Sequence, residues 1–310
     1  MMKSPISGVG CALLKTIDLG QTKARWQEAM NIHWDPPEGV ADAEYWLDPL
    51  TGFAFYSPPQ LAGDASLYEQ LQHFDWYYMQ EKWEFGQALR WIESLSLGQH
   101  LLEVGVGQGY FLQQARARGL TPTGVELNPS GAAAARALGF EVFMDPLDHM
   151  RQRMGDGSWD VICSFQVLEH LANPLPFLQD AAALLRPNGV LILSVPNAEV
   201  ARQLDPERER DLLDQPPHHM GHWSPQVFRF LPTVLPLALE SLAYEPLAPQ
   251  HVEWFVASWS RQWRAALPSV LGKCLINRWS QAMVRACLLV GLRHFIRGHT
   301  LMARFRRIEA

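Results

Sequence analysis

Apolar positions along this chain gather in short runs, most of them broken by a polar residue or a glycine. Between them lie stretches of about ten to fifteen residues whose apolar positions recur at helical spacing. The runs are Leu101–Val104, Thr121–Leu127, Phe140–Asp145, Trp159–Phe165 and Val190–Asn197. The helical stretches are Phe111–Arg118, Pro129–Leu138 and Pro176–Leu185, and Gly119 and Gly139 stop the first two. Strands alternating with helices pair in parallel through right-handed crossovers, with helices on both faces of the sheet. The pattern predicts an α/β fold, in which ligands bind beyond the carboxyl ends of the strands.

Upstream, Leu67, Leu71, Phe74, Tyr78, Trp83, Phe85, Leu89 and Ile92 predict helix across residues 66–96. The aromatic excess there, with Tyr77, Tyr78 and Trp83, reads either as cover for the sheet edge or as cofactor contact. Residues 1–64 are rich in Pro and Gly turns and read as an irregular extension, with a short strand at Phe53–Tyr56. Ser224-Pro225 reads as a helix start running through Phe228, Phe230 and Leu231. Leu239–Tyr244 and again His251–Val256 read as strand.

Candidate chemistry gathers at the strand ends. After Leu101–Val104 come Gly105, Gly107 and Gly109 at alternate positions, then a helix. Such a turn lets a ligand approach the backbone and aims free N–H groups at it. A dinucleotide fingerprint needs a third small residue where this chain has Tyr110. Glu126, 21 residues beyond Gly105, ends the second run. A carboxylate there can accept from two ribose hydroxyls, or simply be a solvated strand end. Asp145 precedes Pro146 and reads equally as a ligand contact or an ordinary turn.

These residues carry a resemblance. Glu103-Val104-Gly105-Val106-Gly107-Gln108-Gly109 resembles motif I, E/D-x-G-x-G-x-G, of the class I S-adenosylmethionine (SAM)-dependent methyltransferases. Val167-Leu168-Glu169-His170, with Pro174, resembles their V-L-E-H-x-x-x-P run after strand four. Leu185-Arg186-Pro187-Asn188-Gly189 leading into Val190–Asn197, and Pro216-Pro217-His218-His219 with Trp223-Ser224, resemble later segments. The chain looks like the small-molecule "methyltransferase 23"-like subgroup, strongly over residues 66–200 and weakly over 200–310.

The resemblance implies a Rossmann-like, seven-stranded, mostly parallel sheet with helices on both faces and strand seven, at Gly298–Arg307, antiparallel. It implies a domain over 65–310, with a helical basic insertion at about 257–297. It implies SAM as cofactor and S-adenosyl-L-homocysteine as product, held by Glu103, Gly105, Gly107, Gly109, Glu126, Leu127, Asp145, Phe165 and Gln166, with Asp145 near the adenine edge. In the family a small zinc ribbon often precedes the domain. Its cysteines are absent here, so residues 1–64 are expected to be a degenerate ribbon without metal.

Methyl transfer from a sulfonium is a direct displacement, so the protein mainly aligns the reactants and excludes water. A hydroxyl acceptor is helped by a general base. His170, His218, His219 and His222 are the candidates, each against a structural role. Three histidines among residues 218–222, between prolines and with no cysteine or settled fourth ligand nearby, predict no metal.

Composition adds bounds. The chain has 310 residues, 48% of them hydrophobic, enough for one large domain with appendages. Four cysteines form no C-x-x-C pair and no disulfide framework, which fits a cytoplasmic setting. No stretch of about 18 residues is free of charge, so no spanning helix is expected. Residues 261–310 carry ten Lys or Arg and one acid, leaving 16 bases against 31 acids before them. A body that acidic is a poor nucleic-acid binder. Arg278, Arg285, Arg293 and Arg297 share one side of a helical wheel. Three readings stay open for this region: packing on the body or on a second subunit, peripheral contact with an anionic membrane through 270–307, or docking of an anionic or carrier-linked substrate. The function expected is methyl transfer to a small-molecule or lipid- or carrier-linked acceptor. The alternatives are a non-catalytic SAM-binding scaffold and an NAD-dependent oxidoreductase, the latter disfavoured by Tyr110.

Overall fold

The computed structural model describes residues 2–95, 98–204 and 212–308. The chain opens with β1 (Ala12–Asp18), α1 (Leu19–Met30), β2 (Asp42–Leu47) and β3 (Ala54–Ser57), then α2 (Ala65–Leu71) and α3 (Trp83–Glu93). Strands and helices then alternate: β4 (His100–Val104), α4 (Tyr110–Arg116), β5 (Thr121–Val125), α5 (Pro129–Ala137), β6 (Val142–Phe143), α6 (Leu147–Met154), β7 (Trp159–Phe165), α7 (Pro174–Leu184), β8 (Leu185–Pro196) and α8 (Ala198–Leu204). The remainder is β9 (Gly221–His222), α9 (Pro225–Phe230), β10 (Leu237–Pro246), α10 (Val252–Ala266), α11 (Ser269–Leu275), α12 (Arg278–Val290) and β11 (Arg297–Arg307).

Seven strands form the central sheet in the order β10-β11-β8-β7-β4-β5-β6. β4 to β8 pair in parallel, while β11 runs antiparallel to both β8 and β10. Successive residues face opposite layers, as the pleat requires. Leu102, Ile162 and Leu191 pack in one apolar cluster, and Leu101, Val161, Val190 and Ile192 in the other. The register sets Val104 beside both Val125 and Ser164, and Phe165 beside Ser194. The carboxyl ends of β4, β5, β7 and β8 therefore finish along one edge.

The N-terminal residues, expected to be irregular or a degenerate ribbon, are built into strands. β1, β2 and β3 form an antiparallel sheet, completed by β9 from the histidine-rich loop more than 160 residues later. Both faces of β1 are largely exposed, so its apolar pattern carries no strand signal; pairing with β2 makes it. α1 starts at Asp18, whose carboxylate accepts from Gln21 N–H at 2.7 Å. Trp26 of α1 is fully buried among Ile32, Leu67, Leu71 and Leu212, and its indole N–H donates to Pro216 O at 3.4 Å. Trp26→Ala should lower the unfolding free energy by about 3–5 kcal/mol. Urea unfolding reads this, and a loss below about 1 kcal/mol would show that the indole is not a keystone.

Three further expectations need correction. The predicted helix over 66–96 is two helices, broken at residues 72–82, where turns run from Leu71 O to Phe74 N–H and from Phe74 O to Tyr77 N–H. Consecutive aromatics after Asp75 are poor helix formers, and the break lets them face a cavity. His251–Val256 is not strand; Val252 and Val256, one helical turn apart, are buried in α10. The four arginines do not share one helix face. Arg278 and Arg285 lie on α12, which ends at Val290; Arg293 follows Gly291, and Arg297 opens β11. Arg297 stacks over the Tyr244 ring at 4.1 Å and faces Glu199 at 3.8 Å, so part of this charge is used within the fold.

Candidate cofactor and acceptor cavity

A cavity of about 810 Å³ opens at the carboxyl edge of the sheet. Its floor is the turn between β4 and α4. Gly105 and Gly107 take φ of +82° and +50°. A Cβ on Gly105 would lie 2.5 Å from Val167 Cγ2, and one on Gly107 would lie 2.5 Å from the Tyr78 ring. Both positions need glycine for conformation and for room.

Glu126 sits beside this turn. Its Oε2 accepts from Gly107 N–H at 2.7 Å and its Oε1 from Asn128 N–H at 2.8 Å. The main chain thus fixes the carboxylate at the cavity wall, and each oxygen keeps a second acceptor position. Burial raises its pKa, while these backbone bonds pull the other way. Glu103 lines the same floor, only 2% exposed, and its Oε2 has no hydrogen-bond partner among the described residues. Burial pushes its carboxyl well above the usual range.

Tyr78 covers Gly107, and Tyr77 contacts Tyr78 edge-on at 4.9 Å. Burial raises the pKa of both phenols, as it does for Tyr68. Trp83 instead packs against the core at the start of α3. Beyond Tyr77 the wall is polar. After β7, Gln166 adopts φ +55° and turns the chain into the short 3-10 segment Leu168–His170. Glu169 O accepts from Met220 N–H at 2.7 Å, docking this segment on the histidine-rich loop. His170, His218 and His219 meet here, with ring centroids 4.5 to 5.1 Å apart. Burial, then neighbouring His219, lowers the pKa of His170 to about 3; the same causes take His218 well below its ordinary value. Glu169 is fully buried with an unpartnered Oε2, and burial pushes its pKa up to about 7.

Of the residues singled out from sequence, Glu103, Gly105, Gly107, Glu126, Leu127, Phe165, Gln166, His170, His218 and His219 all line this cavity. Gly109, Asp145 and His222 do not. Gly109 caps α4, and the space a Cβ would need lies 3.0 Å from Ala135 Cβ, so its smallness serves the packing of α4 on α5. Asp145 faces Arg153 at 3.7 Å, while Pro146, Leu147 and Asp148, at the start of α6, reach the cavity instead. His222 is buried under the N-terminal sheet, its Nδ1 2.6 Å from Tyr45 Oη. Glu169 is a site residue that the sequence does not single out. The signal available is an acidic residue beside His170 within the short segment Val167–Leu171 that follows a buried strand.

Similarity to known proteins points the same way. A family model described as a methyltransferase domain matches residues 76–266. The ubiquinone biosynthesis O-methyltransferase of Xanthomonas campestris pv. campestris (strain B100) is 35% identical over 107 residues, which are 32% of this chain and 44% of that protein. The protein of the same name from Vibrio parahaemolyticus is 27% identical over 113 residues, 34% of this chain and 48% of the relative. Each match spans less than half of the relative. A solved S-adenosylmethionine-dependent methyltransferase from Mesorhizobium loti aligns over 74% of this chain and all of its own, at 16% identity and a TM-score of 0.48. With more than half of its length matched by the family model, the chain belongs to the methyltransferase-domain family.

Proposed function

We propose that the chain transfers a methyl group from SAM to a hydroxyl of a small-molecule acceptor. The observation that carries this is Glu103. A buried carboxylate oxygen without a partner is costly unless a positive group meets it. It lies beside a turn that leaves backbone room for a ligand, and the ligand that fits is a cation with a nucleoside. SAM, when bound, supplies a methyl on a positive sulfur together with an α-ammonium group.

The other residues fit such a ligand. Glu126 keeps two acceptor positions for ribose hydroxyls. Leu127 and Leu147 give apolar cover for a base, and Asp148 takes the polar position once expected of Asp145. Phe165 and Gln166 close the wall after β7. Tyr77 and Tyr78 exclude water above the turn. The acceptor hydroxyl lies beside His170, His218, His219 and Glu169, and the Glu169 carboxylate is the group placed to take its proton. The relatives' printed name, an O-methyltransferase, supports oxygen as the acceptor atom.

Calorimetry with SAM and with NAD tests the cofactor. Binding of SAM but not NAD is expected, and the reverse would overturn the proposal. Methyl label carried from SAM into a small molecule of a cell extract tests the reaction. SAM binding with no acceptor labelled would leave the scaffold reading.

For an acceptor held in lipid, the helical insertion is suited. Trp279, Met283, Val290 and Phe295 are 64 to 90% exposed, beside Arg278 at the start of α12. No helix among the described residues is long and apolar enough to cross a membrane. Wild type should float with anionic phosphatidylglycerol vesicles, and a Trp279→Glu, Phe295→Glu variant should not. Equal behaviour of the two would sink this contact.

A further inference from the structure

The histidine cluster has a geometry that proton transfer does not require. One ring nitrogen from each of His170, His218 and His219 lies within 4.8 Å of the others. His170 Nδ1 is 2.6 Å from His218 O, His218 Nδ1 is 2.9 Å from Leu213 O, and His219 Nδ1 is 3.3 Å from Asp214 Oδ1. A carbonyl oxygen only accepts, so His218 Nδ1 carries the proton and its Nε2 carries a lone pair. An imidazole fixed by an Nδ1–H bond to a carbonyl or carboxylate is the arrangement of metal-binding histidine. His218 Nε2 is buried with no hydrogen-bond partner among the described residues, and so is Glu169 Oε2 in the same wall. His170 Nε2 stands 4.0 Å from Glu169 Oε1. The cluster is thus rich in acceptors, and two of its orphaned atoms call for a positive charge.

We propose that His170, His218 and His219 bind a divalent transition-metal ion of the zinc class through one ring nitrogen each, with the Glu169 carboxylate as adjacent countercharge and one coordination position open to the cavity. Three nitrogens at about 2.1 Å from a tetrahedral ion would stand roughly 3.4 Å apart, so the ion would draw the present cluster together. Imidazole donors suit zinc, cobalt and nickel over magnesium or calcium. The sequence alone predicts no metal because His218, His219 and His222 share a loop without another ligand. The fold withdraws His222 toward Tyr45 and supplies His170 from 48 residues before His218. The assignment of the open position to the acceptor oxygen rests on the methyl-transfer proposal; the binding of the ion does not.

The test uses the full chain, stripped with a chelator and titrated with Co²⁺ while its visible d–d bands are recorded, and with Zn²⁺ in competition. One equivalent per chain is expected, with the intense bands of a four-coordinate site. His170→Ala and His218→Ala should each weaken binding at least hundredfold, and exposed His149→Ala should leave it unchanged. Circular dichroism shows which variants fold. Should a variant unfold, diethylpyrocarbonate labelling of wild type replaces it, with His170, His218 and His219 protected by Zn²⁺. No stoichiometric ion, or ion binding that survives in folded His170→Ala and His218→Ala, or labelling without protection, would overturn the site. SAM calorimetry on stripped and loaded protein keeps the two proposals apart. A protein that binds SAM but takes up no ion removes only the ion site, and one that takes up the ion but does not bind SAM removes only the cofactor reading.

Discussion

Gly107→Arg removes SAM binding, with an expected loss of more than a hundredfold in calorimetry. Two costs add. The residue stands at φ +50°, where an L side chain carries about 1–2 kcal/mol of strain. Its Cβ would start 2.5 Å from the Tyr78 ring, so the rest of the side chain has only the cavity to enter. Gly107 N–H also holds Glu126 in place, and displacement of the turn releases the ribose carboxylate with it. Gly107→Ala separates the terms, since it brings the strain and a displaced Tyr78 without filling the cavity; a loss of about tenfold fits that. An arginine variant that folds, by circular dichroism, and binds SAM as wild type does would refute the assigned pocket.

The legible parts of this protein are local. β7 and the second half of β8 announce themselves because strands buried on both faces read as near-continuous apolar runs. The glycine turn, Glu126 and the segment after β7 fall at strand ends, so their gathering follows from parallel pairing alone. What was illegible depends on distant pairing. β9 joins β3 through only two residue pairs, Ala54 with His222 and Phe55 with Gly221. That contact decides which histidines of residues 218–222 face the cavity and which is buried under the N-terminal sheet. β1 hides because neither face is apolar enough to show a period. The break between α2 and α3 hides for the opposite reason: its aromatics continue the helical spacing while serving the cavity. Gly109 and Asp145 show a third limit. Motif position places a residue near a site, but the neighbour it faces, Ala135 or Arg153, settles what its side chain does.

Glu103→Gln should weaken SAM binding at least tenfold and also remove the part of its pH dependence that this carboxyl supplies. In the ligand-free protein burial holds the Glu103 carboxyl well above its ordinary value. Below that raised value it is protonated, and a cationic cofactor must displace the proton. Wild-type affinity for SAM should therefore rise with pH, by up to about tenfold per unit, and level off above the folded-state pKa. Stability moves in the opposite sense. A carboxyl whose folded pKa exceeds its unfolded value binds protons more tightly when folded, so ligand-free stability falls as pH rises from the unfolded value toward the folded one. Glutamine carries no such charge, so the variant should outlast wild type in thermal melts at pH 8 without SAM and fall behind it with SAM present. Calorimetry in buffers of different ionisation enthalpy gives an independent reading: wild type releases a proton on binding below the folded pKa, and the variant releases none from this position. A variant with wild-type affinity and an unchanged pH profile would separate Glu103 from the cofactor. The cationic part of SAM would then need another anion, and Glu126, the other carboxylate at this turn, is already held by Gly107 and Asn128.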